Sequence, residues 1–163
     1  MNRKPQNNQI IIEKTKFSHV NNVLTAYNES SDDLKKKMMG AWPLTTKLGI
    51  VHLYLSTTLF FYMLPFQIKS YVAFSHNRIV GFAYIINKRQ KHEKLLGIFI
   101  REDFQGKGIG NRLLSTLLEG EDDVVLNVAI TNTNAIRLYE KMGFHNEGTL
   151  QTMRFKRKNS PKW

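Results

Sequence analysis

Apolar positions along the chain change their period several times, and each change marks an element. Ile10, Ile11 and Ile12 form a short run that reads as a first strand. Ser18 stands where a helix cap belongs, ahead of Val20, Val23, Leu24 and Tyr27 at helical spacing. A second short helix is expected from Ser31, with Leu34 and Met38 on one side and Lys35, Lys36 and Lys37 outside, until Trp42 and Pro43 interrupt it. Alternating segments over 68–75 and 79–86 read as two strands joined at His76-Asn77-Arg78, with Gly81 marking a bend or bulge. A strand over 95–100 feeds a glycine turn and then a helix over 108–118, where Leu113, Leu114, Leu117 and Leu118 form one stripe. Another strand spans 124–130. The helix over 134–142 carries Ala135, Leu138 and Met142 on one face, with Gly143 as its stop, and strands over 144–150 and 153–156 close the series. Strands, crossover helices and a late hairpin imply an α/β fold, with helices on both faces of a single mixed sheet.

Residues 49–66 break the pattern. They include Tyr54, Leu55, Phe60, Phe61, Tyr62, Met63 and Phe66, and hold no formal charge while His52 is neutral. A spanning helix needs about 20 predominantly apolar residues. This stretch is shorter, has Ser56, Thr57 and Thr58 near its middle and meets Pro65, so spanning is disfavoured. A core helix over the sheet is the plain reading; an aromatic face lining a substrate cleft, or a membrane contact through 50–66, is the sharper one.

The 163 residues make one domain, 1–163, with a polar tail at 1–8 and a basic tail at 156–163. No cysteine is present, which excludes a disulfide scaffold, a thiol nucleophile and a cysteine-ligated metal, and agrees with a cytoplasmic chain. The first nine residues have basic groups but no apolar run, so no signal peptide is expected. A net charge of +11, from 24 Lys and Arg against 13 Asp and Glu, favours acidic partners such as nucleic acid, anionic lipid or a polyphosphate cofactor. The basic residues are spread over many segments, which weakens the case for one nucleic-acid groove and suits a solvated surface.

The stretch with most chemical content is Gln105-Gly106-Lys107-Gly108-Ile109-Gly110-Asn111. A strand, a turn with three glycines and a helix start follow one another there. Glycines let successive backbone N–H groups converge, and the first helical turn adds unpaired ones, so the segment suits a phosphate group. It matches neither the dinucleotide fingerprint nor the nucleotide-triphosphate loop, and a plain tight strand-to-helix turn is the competing explanation.

Two blocks together resemble the GNAT superfamily of acyl-coenzyme-A-dependent N-acetyltransferases. Gln105-Gly106-Lys107-Gly108-Ile109-Gly110 resembles its Gln/Arg-x-x-Gly-x-Gly/Ala pyrophosphate loop. Downstream, the strand from Asn127, then Asn132 and Asn134, then Leu138-Tyr139-Glu140-Lys141-Met142-Gly143-Phe144 resembles its strand, asparagine and Leu-Tyr-Glu-Lys-x-Gly-Phe segment. The resemblance implies a mostly antiparallel sheet with a splayed central strand pair and acetyl-coenzyme A as cosubstrate. It assigns the pyrophosphate to backbone N–H groups of Gln105, Gly106, Lys107, Gly108, Ile109 and Gly110, with Asn111 one residue further in and charge from Lys107 and Arg112 where they point inward. The pantetheine arm then lies along the backbone of Ile98, Phe99 and Ile100. Asn134 corresponds to the asparagine that positions the arm and Asn132 shares that work, although a turn and helix-capping role fits both.

By the same resemblance, an amine attacks the thioester directly through a tetrahedral intermediate, and a backbone N–H from Phe99 or Ile100 meets the charge on the carbonyl oxygen. Tyr139 supplies a proton to the coenzyme thiolate; alone, it reads as an amphipathic core residue. No metal is needed. Many relatives carry a glutamate on the strand before the loop, and Leu95 to Ile100 offers none, leaving Glu93, Glu102, Asp103, His92, water or a residue from another segment as the base. The acceptor is a small-molecule amine or a peptide or protein amine, and the sequence leaves a homodimer open. Two alternatives are a non-catalytic acyl-coenzyme-A-binding domain and a basic nucleic-acid-binding module.

Overall fold

The computed structural model describes residues 9–37, 66–88, 93–147 and 152–156. Met38, Trp42, Pro43, His92, residues 49–65 and both tails apart from Lys156 therefore lie outside the described residues. Within them, β1 (Ile11–Lys14) leads through a 3-10 turn (Phe17–His19) into α1 (Val20–Asn28) and α2 (Asp32–Lys37). The long strands β2 (Phe66–Ser75) and β3 (Arg78–Lys88) follow, then β4 (Glu93–Ile100), α3 (Ile109–Leu118), β5 (Asp123–Asn127), α4 (Thr133–Lys141), β6 (Phe144–Asn146) and β7 (Thr152–Lys156). No described helix is long and apolar enough to cross a membrane.

One sheet holds all seven strands, in the order β1-β2-β3-β4-β5-β7-β6. Every neighbouring pair is antiparallel except β4 and β5. The β2–β3 hairpin closes through His76 and Asn77, whose φ angles of 47° and 62° suit the two-residue turn that follows the twist of paired strands. Arg78 already belongs to β3. The irregularity expected near Gly81 is a bulge, since Ala73 pairs with Gly81 but Phe74 with Ile79, leaving Val80 over.

Two apolar layers cover the sheet. On one face, Val20, Val23, Leu24 and Tyr27 of α1 pack on Val72, Phe82 and Phe99. On the other, Leu113, Leu114 and Leu117 of α3 are completely buried against Ala83, Leu96 and Leu126, and Tyr139 and Phe144 extend that layer under α4. Alternation along β4 sorts its side chains between them: Leu96, Ile98 and Ile100 face α3, and Phe99 faces α1.

Three sequence expectations need correction. The cap of α1 is His19, held without a side-chain cap bond, and Ser18 lies inside the preceding turn. The strand expected over 124–130 ends at Asn127; Ile130 is 70% exposed in a turn closed by the Asn132 N–H to the Ala129 carbonyl, because the chain must leave the sheet to start α4. After α3, the Glu121 carboxylate sits 3.2 Å from Lys69 and 2.9 Å from Lys94, two cations that the sheet brings alongside. Lys156 is the last residue of β7 rather than the first of a tail. Ser31, by contrast, does start α2, its hydroxyl accepting from the Leu34 N–H at 3.2 Å.

Candidate coenzyme and acceptor cleft

The parallel pair at the centre of the sheet is very short. Leu95 pairs with Val125 and Leu96 with Leu126, and there the pairing stops. β4 continues beside β3 as far as Ile100 opposite Gly81, while β5 ends at Asn127. Backbone groups of β4 past Leu96 thus face a gap where a neighbouring strand would otherwise bond them. This is the splayed pair that the sequence resemblance implies.

At the end of β4 the chain makes a 3-10 turn (Glu102–Phe104) and enters the glycine segment. Gln105 pins the turn by donating from Nε2 to the Ile100 carbonyl at 3.1 Å. Gly106 and Gly108 take φ values of +72° and +75°, a region costly for other residues, and a Cβ at either would meet nothing within 4 Å. The turn therefore carries an open hollow. Gly108 caps α3 without side-chain help, and its carbonyl accepts the helix bond from the Arg112 N–H. The amides of Ile109, Gly110 and Asn111, in the first helical turn, have no intrahelical acceptor. Asn111 Oδ1 is buried without a partner among the described residues.

The opposite wall comes from α4. Asn132 caps that helix, its Oδ1 accepting from the Ala135 N–H at 3.3 Å, while Asn134 sits exposed one residue inside. α3 and α4 touch closely at Gly110, where an added Cβ would stand 2.8 Å from Leu138 Cδ2. Tyr139, one residue on, is 7% exposed, with its ring centroid 5.7 Å from that of Phe144.

These parts enclose one cleft of about 640 Å³. Of the residues that the resemblance assigns, Ile98, Phe99, Ile100, Gln105, Gly106, Gly108, Ile109, Gly110, Asn111, Asn132, Asn134 and Tyr139 line it. Lys107 does not: its ammonium lies 4.7 Å above the Phe104 ring, where the aromatic face attracts it. Arg112 also points elsewhere, donating to the Ile10 carbonyl at 2.9 Å. Among the described residues, the side-chain cations that line the cleft are Arg137 and Lys141 of α4.

Asp33, Leu34 and Tyr84 line the cleft as well, and the sequence reading missed all three. Tyr84 pairs across the sheet with Gly97, so a strand register drawn from the hairpin turn outward would have found it. Burial pushes the Tyr84 hydroxyl up to about 12. It pushes Tyr139 further up, with a smaller contribution from Tyr84. Both phenols hold their protons through the neutral range.

The base candidates separate. Glu102 lines the cleft, but the Ser31 hydroxyl and the Ser31 N–H, the latter at 3.0 Å, both donate to its Oε1 and hold its carboxyl below the usual range. Asp103 is outside the lining, ion-paired to Arg101 at 3.3 Å. Glu93 opens β4 opposite Lys88, at the far end of the strand from the glycine turn. The site thus presents Glu102 as a carboxylate already committed to Ser31, which makes it a weak proton acceptor.

A search of curated proteins finds an N-alpha-acetyltransferase 30 from Xenopus laevis, 32% identical over an alignment of 101 residues that covers 49% of this chain and 37% of that one. It also finds a spermine/spermidine N(1)-acetyltransferase from Bacillus subtilis, 36% identical over 58 residues, covering 32% of this chain and 38% of that one. The chain spans less than half the length of the curated relatives it matches. Among solved structures, a putative acetyltransferase from Salmonella typhimurium, determined with its cofactor acetyl-coenzyme A, superposes with a TM-score of 0.70 at 16% identity, over 93% of this chain and 96% of that one. That likeness carries the fold. The model of the acetyltransferase (GNAT) family matches residues 39–144, well over half of the sequence, and the chain belongs to that family.

Proposed function

We propose that the chain moves an acetyl group from acetyl-coenzyme A to an amine, and that the acceptor is a small-molecule amine or an amine of a peptide or protein. One observation carries this reading: a single cleft joins the unpaired amides of the glycine turn to the parting of β4 and β5, with Tyr139 buried in its wall.

The residues fit the coenzyme on two counts. The hollow over Gly106 and Gly108 is free of side chains and faces the start of α3, where backbone donors and the helix dipole favour a pyrophosphate. Asn111 leaves a buried amide end unpaired in the cleft wall, and either end of an amide can be turned to a ligand. Amides from Gln105 to Asn111 would hold the pyrophosphate. The β5-side backbone of Ile98, Phe99 and Ile100 would take the pantetheine arm as an added strand, and Asn134 would steady it from α4.

When bound, the coenzyme supplies an acetyl group activated as a thioester. Gln105 keeps the end of β4 rigid by holding the Ile100 carbonyl, so a β4 amide can meet negative charge on an oxygen without rearranging. Tyr139 keeps its Oη proton at neutral pH because it is buried, which suits a donor to a leaving thiolate. Ser31 keeps Glu102 ionised at the mouth of the cleft.

The two curated relatives act by name on different amines, an α-amine and the polyamines spermine and spermidine, so they support amine acetylation and no narrower class. The test is thiol release from acetyl-coenzyme A over a panel of amines and amine-bearing peptides. Acceptor-dependent release above the background rate is expected; coenzyme binding with no release for any acceptor would favour the non-catalytic alternative.

A further inference from the structure

We infer that Tyr84, lying across Gly97, narrows the cleft where the sheet parts and limits the transferred group to one about as short as acetyl. The inference rests on the acetyltransferase reading above and adds a specificity-determining residue to it. Tyr84 of β3 pairs with Gly97, the first residue of β4 beyond the last contact with β5. The absence of a side chain at Gly97 is what lets the ring in: a Cβ there would stand 2.6 Å from Tyr84 Cε1, and would run into Cζ and the hydroxyl oxygen as well. The phenol therefore crosses the β4 backbone at the point where the sheet opens.

The two tyrosines of the cleft come from opposite sides of the sheet. Tyr139 belongs to the α3 layer and Tyr84 to the α1 layer, beside Phe82 and Phe99. A cleft lined by both passes through the parting, and Tyr84 lies at that passage, with Leu34 of the same α1-side layer lining the cleft as well. The ring is only 3% exposed and its centroid is 5.7 Å from that of Phe82, so close packing restrains it from swinging aside. Neither phenol has a hydrogen-bond partner among the described residues, so what Tyr84 presents to the cleft is shape, with a hydroxyl free to serve a ligand. An acyl chain that enters between β4 and β5 from the α3 side meets this ring. Each methylene beyond acetyl then costs on the order of tenfold in affinity.

Calorimetric titration of the full chain with coenzyme A, acetyl-coenzyme A and butyryl-coenzyme A tests this by binding alone. The wild type and Tyr84→Phe, which keeps the ring, are expected to bind butyryl-coenzyme A, two methylenes longer, about 10²-fold more weakly than acetyl-coenzyme A. Tyr84→Leu is expected to bring the two affinities within about threefold, and Tyr84→Met serves the same purpose where the leucine variant fails to melt cooperatively. Equal affinities in the wild type overturn the inference without any variant, and so does a well-folded leucine or methionine variant that keeps the wild-type discrimination. Absence of binding to coenzyme A itself overturns the acetyltransferase reading and the inference with it, a result distinct from binding without discrimination.

Discussion

Leu96 is the last residue of β4 to pair with β5, and its partner is Leu126. Both side chains are buried in the α3 layer at 4% and 1% exposure, so the sheet is held shut at this point and open one residue beyond it. The cleft follows from that arrangement. Backbone groups that a full parallel pair would satisfy are left for a ligand, and the ligand's anionic end is matched by the glycine turn at the top of the same strand.

Gly108 separates strain from charge. Gly108→Ala places a Cβ on a residue at φ +75°, which costs about 1–2 kcal/mol of stability but fills no occupied space. Gly108→Glu adds a negative charge in the hollow. Affinity for coenzyme A is expected to fall by at least about tenfold more for the glutamate than for the alanine, with similar melting temperatures for both. Calorimetry beside thermal denaturation checks this.

The contact between α3 and α4 at Gly110 predicts a coupled pair. Gly110→Ala brings a methyl to 2.8 Å from Leu138 Cδ2, the tip of a flexible side chain that must turn aside, so the clash is expected to cost no more than about 1 kcal/mol. In the Leu138→Ala background the same change should cost much less. A double-mutant cycle by urea denaturation reads the difference, and additive costs would mean that the helices separate freely.

Removing the Tyr139 hydroxyl should divide turnover from binding. Tyr139→Phe is expected to lower the turnover number by about 10²-fold or more, the range for a lost general acid, while coenzyme A affinity changes by less than about threefold. Steady-state rates and calorimetry on the same preparation decide it.

The buried phenols also set a pH limit on stability. Burial raises Tyr84 from 10.0 to about 12 and raises Tyr139 too, so the folded state retains protons that the unfolded chain releases. Their contribution is therefore fully present below about pH 10, and is lost as pH rises through the folded values. Urea midpoints measured between pH 8 and pH 11.5 should fall above pH 10, and the fall should be smaller in the Tyr84→Phe, Tyr139→Phe double variant.

Asn132→Ala is expected to cost about 1 kcal/mol through the lost cap on Ala135, whatever the asparagine does for a ligand. Asn134→Ala, at an exposed cleft position, should instead weaken coenzyme binding and leave the melting temperature nearly unchanged. Comparing melting curves and affinities for the pair separates capping from ligand contact.

Local patterns carried much of the fold. The leucine stripe of α3, the His76-Asn77 turn and the glycine stop after α4 are decided within a few residues of chain, and they stand where the sequence puts them. The glycine turn and Tyr139 were legible for a different reason, the resemblance of two motifs to one family. What depends on cross-strand register was not legible. Tyr84 and Gly97 are 13 residues apart, and only the pairing of β3 with β4 brings them together. Side-chain direction at the loop was also hidden: Lys107 and Arg112 are drawn away by the Phe104 ring and the Ile10 carbonyl, partners that charge counting does not reveal.

The most direct test of the central claim is a backbone-amide NMR titration of the chain with coenzyme A. The largest shifts are expected at residues 106–111, where the turn meets α3, and at 97–100, along the open edge of β4. A titration that leaves both segments unmoved, or that shifts only the β1 edge of the sheet, would contradict the account.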